Sequence, residues 1–116
     1  MDKKYAAQEA ITHSMMGSLG LKLIEEKEGF IRASMPVNDN TSQPFGVLCG
    51  GASLAFAEII AGYGSYLCCP EGFIPVGSSV SGNHVSSVRK APDVLVYAEA
   101  TALHLGRTTH LWNVDI

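Results

Sequence analysis

Glu58 sits inside the apolar stretch QPFGVLCGGASLAFAEIIAG, residues 43 to 62, which brings a cysteine and two glycines ahead of the acid. Gly50 and Gly51 lack Cβ atoms, so backbone N–H groups there can approach a ligand closely. A helix beginning at these glycines would aim its unpaired N–H groups and its positive dipole end at one spot. Such a spot suits an oxyanion, including one formed by attack on a carbonyl; two adjacent glycines also serve simply to allow close packing at a turn. Two turns further on, a carboxylate enclosed in an apolar helix has a raised pKa and becomes a better proton acceptor near neutral pH. A Glu58 facing a polar gap, or paired with Arg89 or Arg107, is the competing reading. Gln43 can orient water or a carbonyl through its amide, although a glutamine before proline is also an ordinary loop residue. Cys49 beside a helix N-terminus can act as a nucleophile, with His84 or His110 as its base, whereas a small buried cysteine is the commoner outcome. Cys68 and Cys69 lack the spacing of a zinc site and are expected to end the helix against the core, and no metal site is expected.

The elements that must position these groups follow from periodicity. Residues 5 to 16 read as a short amphipathic helix closed by Gly17 and Gly20. LKLIEEKEGFIRASMPV alternates on both sides of EKEG, as a β-hairpin does. The polar NDNTSQP connection leads to a helix from 51 to about 67, apolar nearly all round and therefore expected to be enclosed. Three strands are expected after the turn-forming CCPEG. In residues 74 to 84, Ile74, Val76, Ser78, Val80, Gly82 and His84 share a face. In 93 to 103, Val94, Val96, Ala98, Ala100 and Ala102 form a small-residue face. In 108 to 116, His110, Trp112, Val114 and Ile116 share the third, with HLGR as the link between the last two strands. The pattern predicts an α+β domain, with an antiparallel sheet wrapped around one long helix.

The 116 residues allow one core, hence a single domain over residues 1–116. With 47% apolar and 16% charged residues the chain folds, and its thinly charged surface favours burial in an oligomer. A net charge of −3 without a Lys/Arg run argues against nucleic acid as the main partner. No leader pattern opens the chain, and the longest apolar run is interrupted by Glu58, two glycines and two serines, so no membrane span is expected. An odd cysteine count with two adjacent residues is no disulfide framework, which points to a reducing cytoplasm.

MPVNDNTSQPFGVLCGGASLAFAE resembles the MPV…TxQPFGxLHGGAS…AE signature of hotdog-fold acyl-CoA thioesterases. Within them it looks most like the small bacterial hydrolases of dihydroxynaphthoyl-CoA and other aromatic acyl-CoAs, related to hydroxybenzoyl-CoA thioesterase. NHVSSVRK and LHLGRTTHLWNVDI extend the match over nearly the whole chain. The resemblance implies a long helix wrapped by a curved antiparallel sheet, assembled into homodimers or homotetramers with active sites at the dimer interface. It implies Glu58 as catalytic general base or nucleophile, Gln43 as a binder of the thioester or the attacking water, and the Gly50 N–H as the oxyanion hole. It also places His84, Ser86 and Ser87, with Gly106, Arg107 and Thr108, where the acyl-CoA is handled.

Two positions depart from the family pattern. Cys49 replaces the histidine before the glycines, and Ser86 stands where relatives often carry an arginine. The chain also stops at Ile116, where relatives continue into one more strand, so a C-terminal strand is expected to be missing from the sheet. The reading is an acyl-CoA thioesterase that releases an acid and free CoA without metal or redox cofactor. A non-catalytic acyl-CoA or aromatic-ligand binding module is the alternative, and a cysteine-dependent acyl transferase the third reading.

Overall fold

A computed structural model describes residues 9–116 of the chain. A short helix α1 (Met15–Ser18) precedes strands β1 (Lys22–Lys27) and β2 (Phe30–Pro36). The long helix α2 (Gly50–Cys68) and strands β3 (Leu95–Leu105) and β4 (His110–Asp115) complete the order. The strands form one antiparallel sheet in the order β1-β2-β3-β4. Gly29, at φ +77°, makes the β1–β2 turn that EKEG predicts.

Alternation decides which face meets the helix. Ile31, Ala33 and Met35 of β2 pair across the ladder with Ala100, Ala98 and Val96 of β3. The first three, with Ala98 and Ala100, are buried and pack with Phe56, Ile60 and Tyr63 of α2. The alanines of β3 are the small-residue face read from the sequence, and they allow α2 to lie close across the sheet. Phe56 and Ile60 are fully buried, each contributing roughly 1.5–3 kcal/mol through apolar burial.

A second tie secures the sheet edge to the helix. Ser65 of α2 is buried, and its Oγ accepts a 2.8 Å hydrogen bond from Trp112 Nε1 and lies 2.8 Å from His110 Nδ1. His110, Trp112 and Val114 thus point inward as expected, whereas Ile116 is half exposed.

Four expectations are corrected. Residues 74 to 84 form no strand; they are irregular and mostly exposed, with no ladder partner among the described residues, so their alternation finds no sheet to bury it. The first helix is broken: residues 9–12 are helical, a turn follows at 13–14, where Ser14 Oγ bonds the Ile11 carbonyl, and Gly17 falls inside α1. Residues 5–8 of that prediction lie outside the described residues. The β3–β4 link is residues 106–109 rather than HLGR, because β3 continues through His104 and Leu105. Finally, α2 is not enclosed all round: one flank, with Gly51 and Glu58, is exposed.

Candidate functional site

The connection from β2 to α2 folds into a small hairpin. Its base is the Cys49 N–H bonded to the Thr41 carbonyl at 2.9 Å; further in, Ser42 bridges Leu48 and Gln43 N–H bonds the Val47 carbonyl. The tip is the Gln43–Gly46 turn, where Gly46 takes φ +86°. Gln43 Oε1 accepts the Phe45 N–H. With its oxygen engaged, the Gln43 amide presents its NH2, a donor suited to a carbonyl or to a water oxygen.

The outgoing arm of this hairpin delivers the helix. Cys49 is its N-cap, half-buried, and its side chain caps no N–H. The N–H groups of Gly50 and Gly51 have no backbone acceptor among the described residues, as the first turn of a helix requires. These free N–H groups are what the expected oxyanion-type array at the two glycines would use.

The segment from Gly77 to His84 lies along the same flank of α2, antiparallel to it. Its His84 ring covers Gly50: a methyl group placed on Gly50 would lie 2.8 Å from His84 Nε2. One turn on, a methyl on Gly82 would lie 3.3 Å from Leu54, and after another turn one on Gly77 would lie 2.5 Å from Glu58 Oε2. Gly77 thus seats the segment against the Glu58 carboxylate, a contact the strand reading of 74 to 84 concealed. Glu58 is exposed and makes no ion pair or hydrogen bond among the described residues, so neither burial nor an Arg89 or Arg107 pair holds it. The enclosed acid read from the sequence is, within one chain, an open one.

Gly50 and Glu58 are not brought together. Two turns separate them on one helix, about 12 Å along its axis. A single thioester carbon cannot touch both groups of one chain. Ser86 and Ser87 are exposed on the segment beyond His84, and Arg107 and Thr108 are exposed at the β3–β4 turn beside Gly106. None of these five hydrogen-bonds to Gln43, Gly50 or Glu58 among the described residues. Those residues contain no group of three or more His, Cys, Asp or Glu side chains placed to hold a metal ion, and no helix long and apolar enough to cross a membrane.

The thioesterase superfamily model matches residues 45–116, from the hairpin tip to the end of β4. The chain belongs to the thioesterase superfamily. Its backbone matches a crystal structure of a Haemophilus influenzae thioesterase at a TM-score of 0.86 and 36% identity, over 99% of this chain and 78% of that one. It is also similar to the 1,4-dihydroxy-2-naphthoyl-CoA hydrolase of Escherichia coli, at 36% identity over 89% of this chain and 74% of that protein. A glutamine-to-alanine variant of a Staphylococcus aureus thioesterase matches at a TM-score of 0.80 and 33% identity, over 86% of this chain and 81% of that one. The long helix laid across an antiparallel sheet is the hotdog fold of this superfamily.

Sequence reasoning about this superfamily member missed Gly77, Thr41 and an apolar cavity of about 520 Å3. Ile11, Met15, Met16, Ile59, Tyr63 and Tyr66 line that cavity, between the N-terminal helical residues and α2. Ile59 and Tyr66 follow Glu58 around the helix, past Gly62, where an added methyl would meet no atom of the described residues within 4 Å. Helical spacing of 59, 63 and 66 was the available signal.

Proposed function

We propose that the protein is an acyl-CoA thioesterase that hydrolyses an aromatic acyl-CoA to the free acid and CoA. Glu58 takes a proton from water as the water oxygen bonds to the thioester carbon, or attacks that carbon itself. The Gln43 NH2 holds the carbonyl or the water, and the Gly50 N–H takes the developing oxyanion. In the first route the C–S bond then breaks and CoA leaves as the thiol, taking the proton back from Glu58; in the second CoA leaves as the thiolate, and water hydrolyses the acyl–Glu58 anhydride, releasing the acid and supplying the thiolate's proton. These steps use only side chains, backbone and water, and need no metal or redox cofactor.

One observation carries the reading: a carboxylate and an N–H array, both unpaired among the described residues, lie on one helix flank, two turns too far apart to act together. A second copy, its helix antiparallel beside this one, brings Glu58 of one copy to Gly50 of the other. The functional unit is a homodimer or a pair of them, with Arg107, Thr108, Ser86 and Ser87 reaching the CoA from around the seam. The aromatic acyl group fits the cavity beside Ile59 and Tyr66, and the name of the E. coli relative supports that substrate class. Structures of the S. aureus thioesterase carry alanine in place of a glutamine and of a glutamate fifteen positions apart, the separation of Gln43 from Glu58. Three free thiols fit a reducing cytoplasm as the setting.

Thiol release from aromatic and aliphatic acyl-CoAs, with light scattering on the same sample, tests the proposal. Turnover by a dimer or tetramer, faster with aromatic acyl groups, is the expected result. Acyl-CoA binding without thiol release would make the chain a binding module, the reading favoured by Cys49 in place of the family histidine. Turnover by a monomer would refute the shared site.

A further inference from the structure

Thr41 is only 1% exposed, deeper than any residue of the catalytic set, although it follows a polar loop. Its Oγ1 donates to the Pro36 carbonyl at 2.7 Å and accepts the Asn38 N–H at 3.0 Å. Pro36 is the last residue of β2, so this hydroxyl fastens the loop to the end of a core strand. The Thr41 carbonyl, in turn, accepts the Cys49 N–H and closes the base of the hairpin. Gln43 lies two residues beyond Thr41 on one arm, and Gly50 directly follows Cys49 on the other.

We propose that Thr41 is a positioning residue: its buried hydroxyl sets the Gln43 amide and the Gly50 N–H at one common distance from the thioester. The main alternative anchors lie on the other side of the hairpin, where Leu48 N–H bonds Val88 and Lys90 N–H bonds Gly46, and those partners belong to the exposed segment's end. Among the described residues, Thr41 is the hairpin side chain that hydrogen-bonds to the sheet, while Leu48 packs against the core. Valine has nearly the same shape but neither donates nor accepts, so Thr41→Val would leave the volume filled and release the loop from Pro36 and Asn38. Displacing an oriented donor by a fraction of an ångström weakens transition-state contacts more than substrate binding. The inference rests on the thioesterase reading of Gln43 and Gly50.

Steady-state kinetics on the full chain with an aromatic acyl-CoA, combined with a double-mutant cycle, tests it. Thr41→Val should lower kcat at least about tenfold while KM stays within about threefold, and Thr41→Ser should restore kcat to within about twofold. In a Gln43→Ala background the valine substitution should cost less than about threefold, because part of what it misplaces is already gone. If the valine variant does not fold, Thr41→Cys, with a weak donor of similar size, is measured in the same cycle and must show the same coupling. Full kcat in the folded variant, or an equal loss with and without Gln43, overturns the inference while Gln43→Ala remains impaired. A fully active Gln43→Ala enzyme overturns the site assignment, and the inference falls with it.

Discussion

Gly62 and Gly64 are two residues apart on α2 and face different worlds. A methyl group on Gly64 would lie 2.5 Å from Trp112 Cη2 and 3.1 Å from Ile31 Cγ1, whereas one on Gly62 would meet no atom of the described residues within 4 Å. Gly64 belongs to the flank that the sheet completes, with Phe56, Ile60 and the Ser65–Trp112 bond around it. Gly62 belongs to the flank that carries Glu58. One side of this helix is completed by the sheet of its own chain, and the other, where the proposed reactive groups lie, meets only the segment from Gly77 to His84 and is exposed at Gly51 and Glu58. On the packed side substitutions should be felt as stability, and on the open side as activity and assembly.

The largest effect expected on the open side is that of Glu58→Gln. The amide is nearly isosteric but cannot accept the proton, so turnover should fall at least about a hundredfold. The melting temperature should be unchanged, since the carboxylate is exposed and unpaired among the described residues. Near-normal turnover in this variant would remove Glu58 from the mechanism.

On the packed side, Gly64→Ala should destabilise by about 1–3 kcal/mol, the scale of overpacking. Trp112 is held by its bond to Ser65 and cannot swing clear. Gly62→Ala should instead raise helix stability by up to about 1 kcal/mol in the isolated chain. The same variant should lower activity or shift light scattering toward monomer if a second copy covers that flank. Equal thermal shifts for the two alanines, read by calorimetry, would break the comparison between the flanks.

Cys49 lies where the flanks meet, at the N-cap of α2. If it stands in for the family histidine, Cys49→His should raise the rate roughly tenfold, about 1.4 kcal/mol in barrier, and Cys49→Ala should change little. If the thiol is instead a nucleophile, both substitutions abolish turnover and mass spectrometry finds an acyl group on Cys49.

The smallest effect concerns Lys90 and Asp39, which form a 2.9 Å ion pair beside the loop that Thr41 anchors. The hydrogen bond and charge of Lys90 hold the Asp39 carboxyl below its ordinary value of 3.8. The folded pKa is the depressed one, so the pair's contribution is present above pH 3.8 and fades as pH falls through the lowered value. Lys90→Met should return the Asp39 titration, followed by NMR, to its ordinary range. Because both groups meet solvent, the melting temperature at neutral pH should barely move.

Much of this architecture was written locally. The β1–β2 hairpin follows from alternation around a glycine with positive φ, and α2 begins at the glycines that mark it in the sequence. The inward rows of β3 and β4 are the alternating rows of their sequences, because a pleated strand sends every second side chain to one face. The same rule misled at residues 74 to 84. Alternation records which side chains could share a face, but a strand also needs a neighbour's N–H and C=O groups, and the described residues supply none there.

The site divides in the same way. Gln43, Gly50 and Glu58 could be proposed as the site from the sequence because the chemistry suggested for them depends on residue type and on helix periodicity, both local properties. Tertiary structure alone decided that Glu58 is open to solvent, that Gly77 lies against it, and that His84 covers Gly50. It alone decided that a threonine in a turn-forming loop is the buried tie between hairpin and sheet. Those facts depend on which distant segments cross the helix, and nothing in the spacing of a single segment encodes where another will pass.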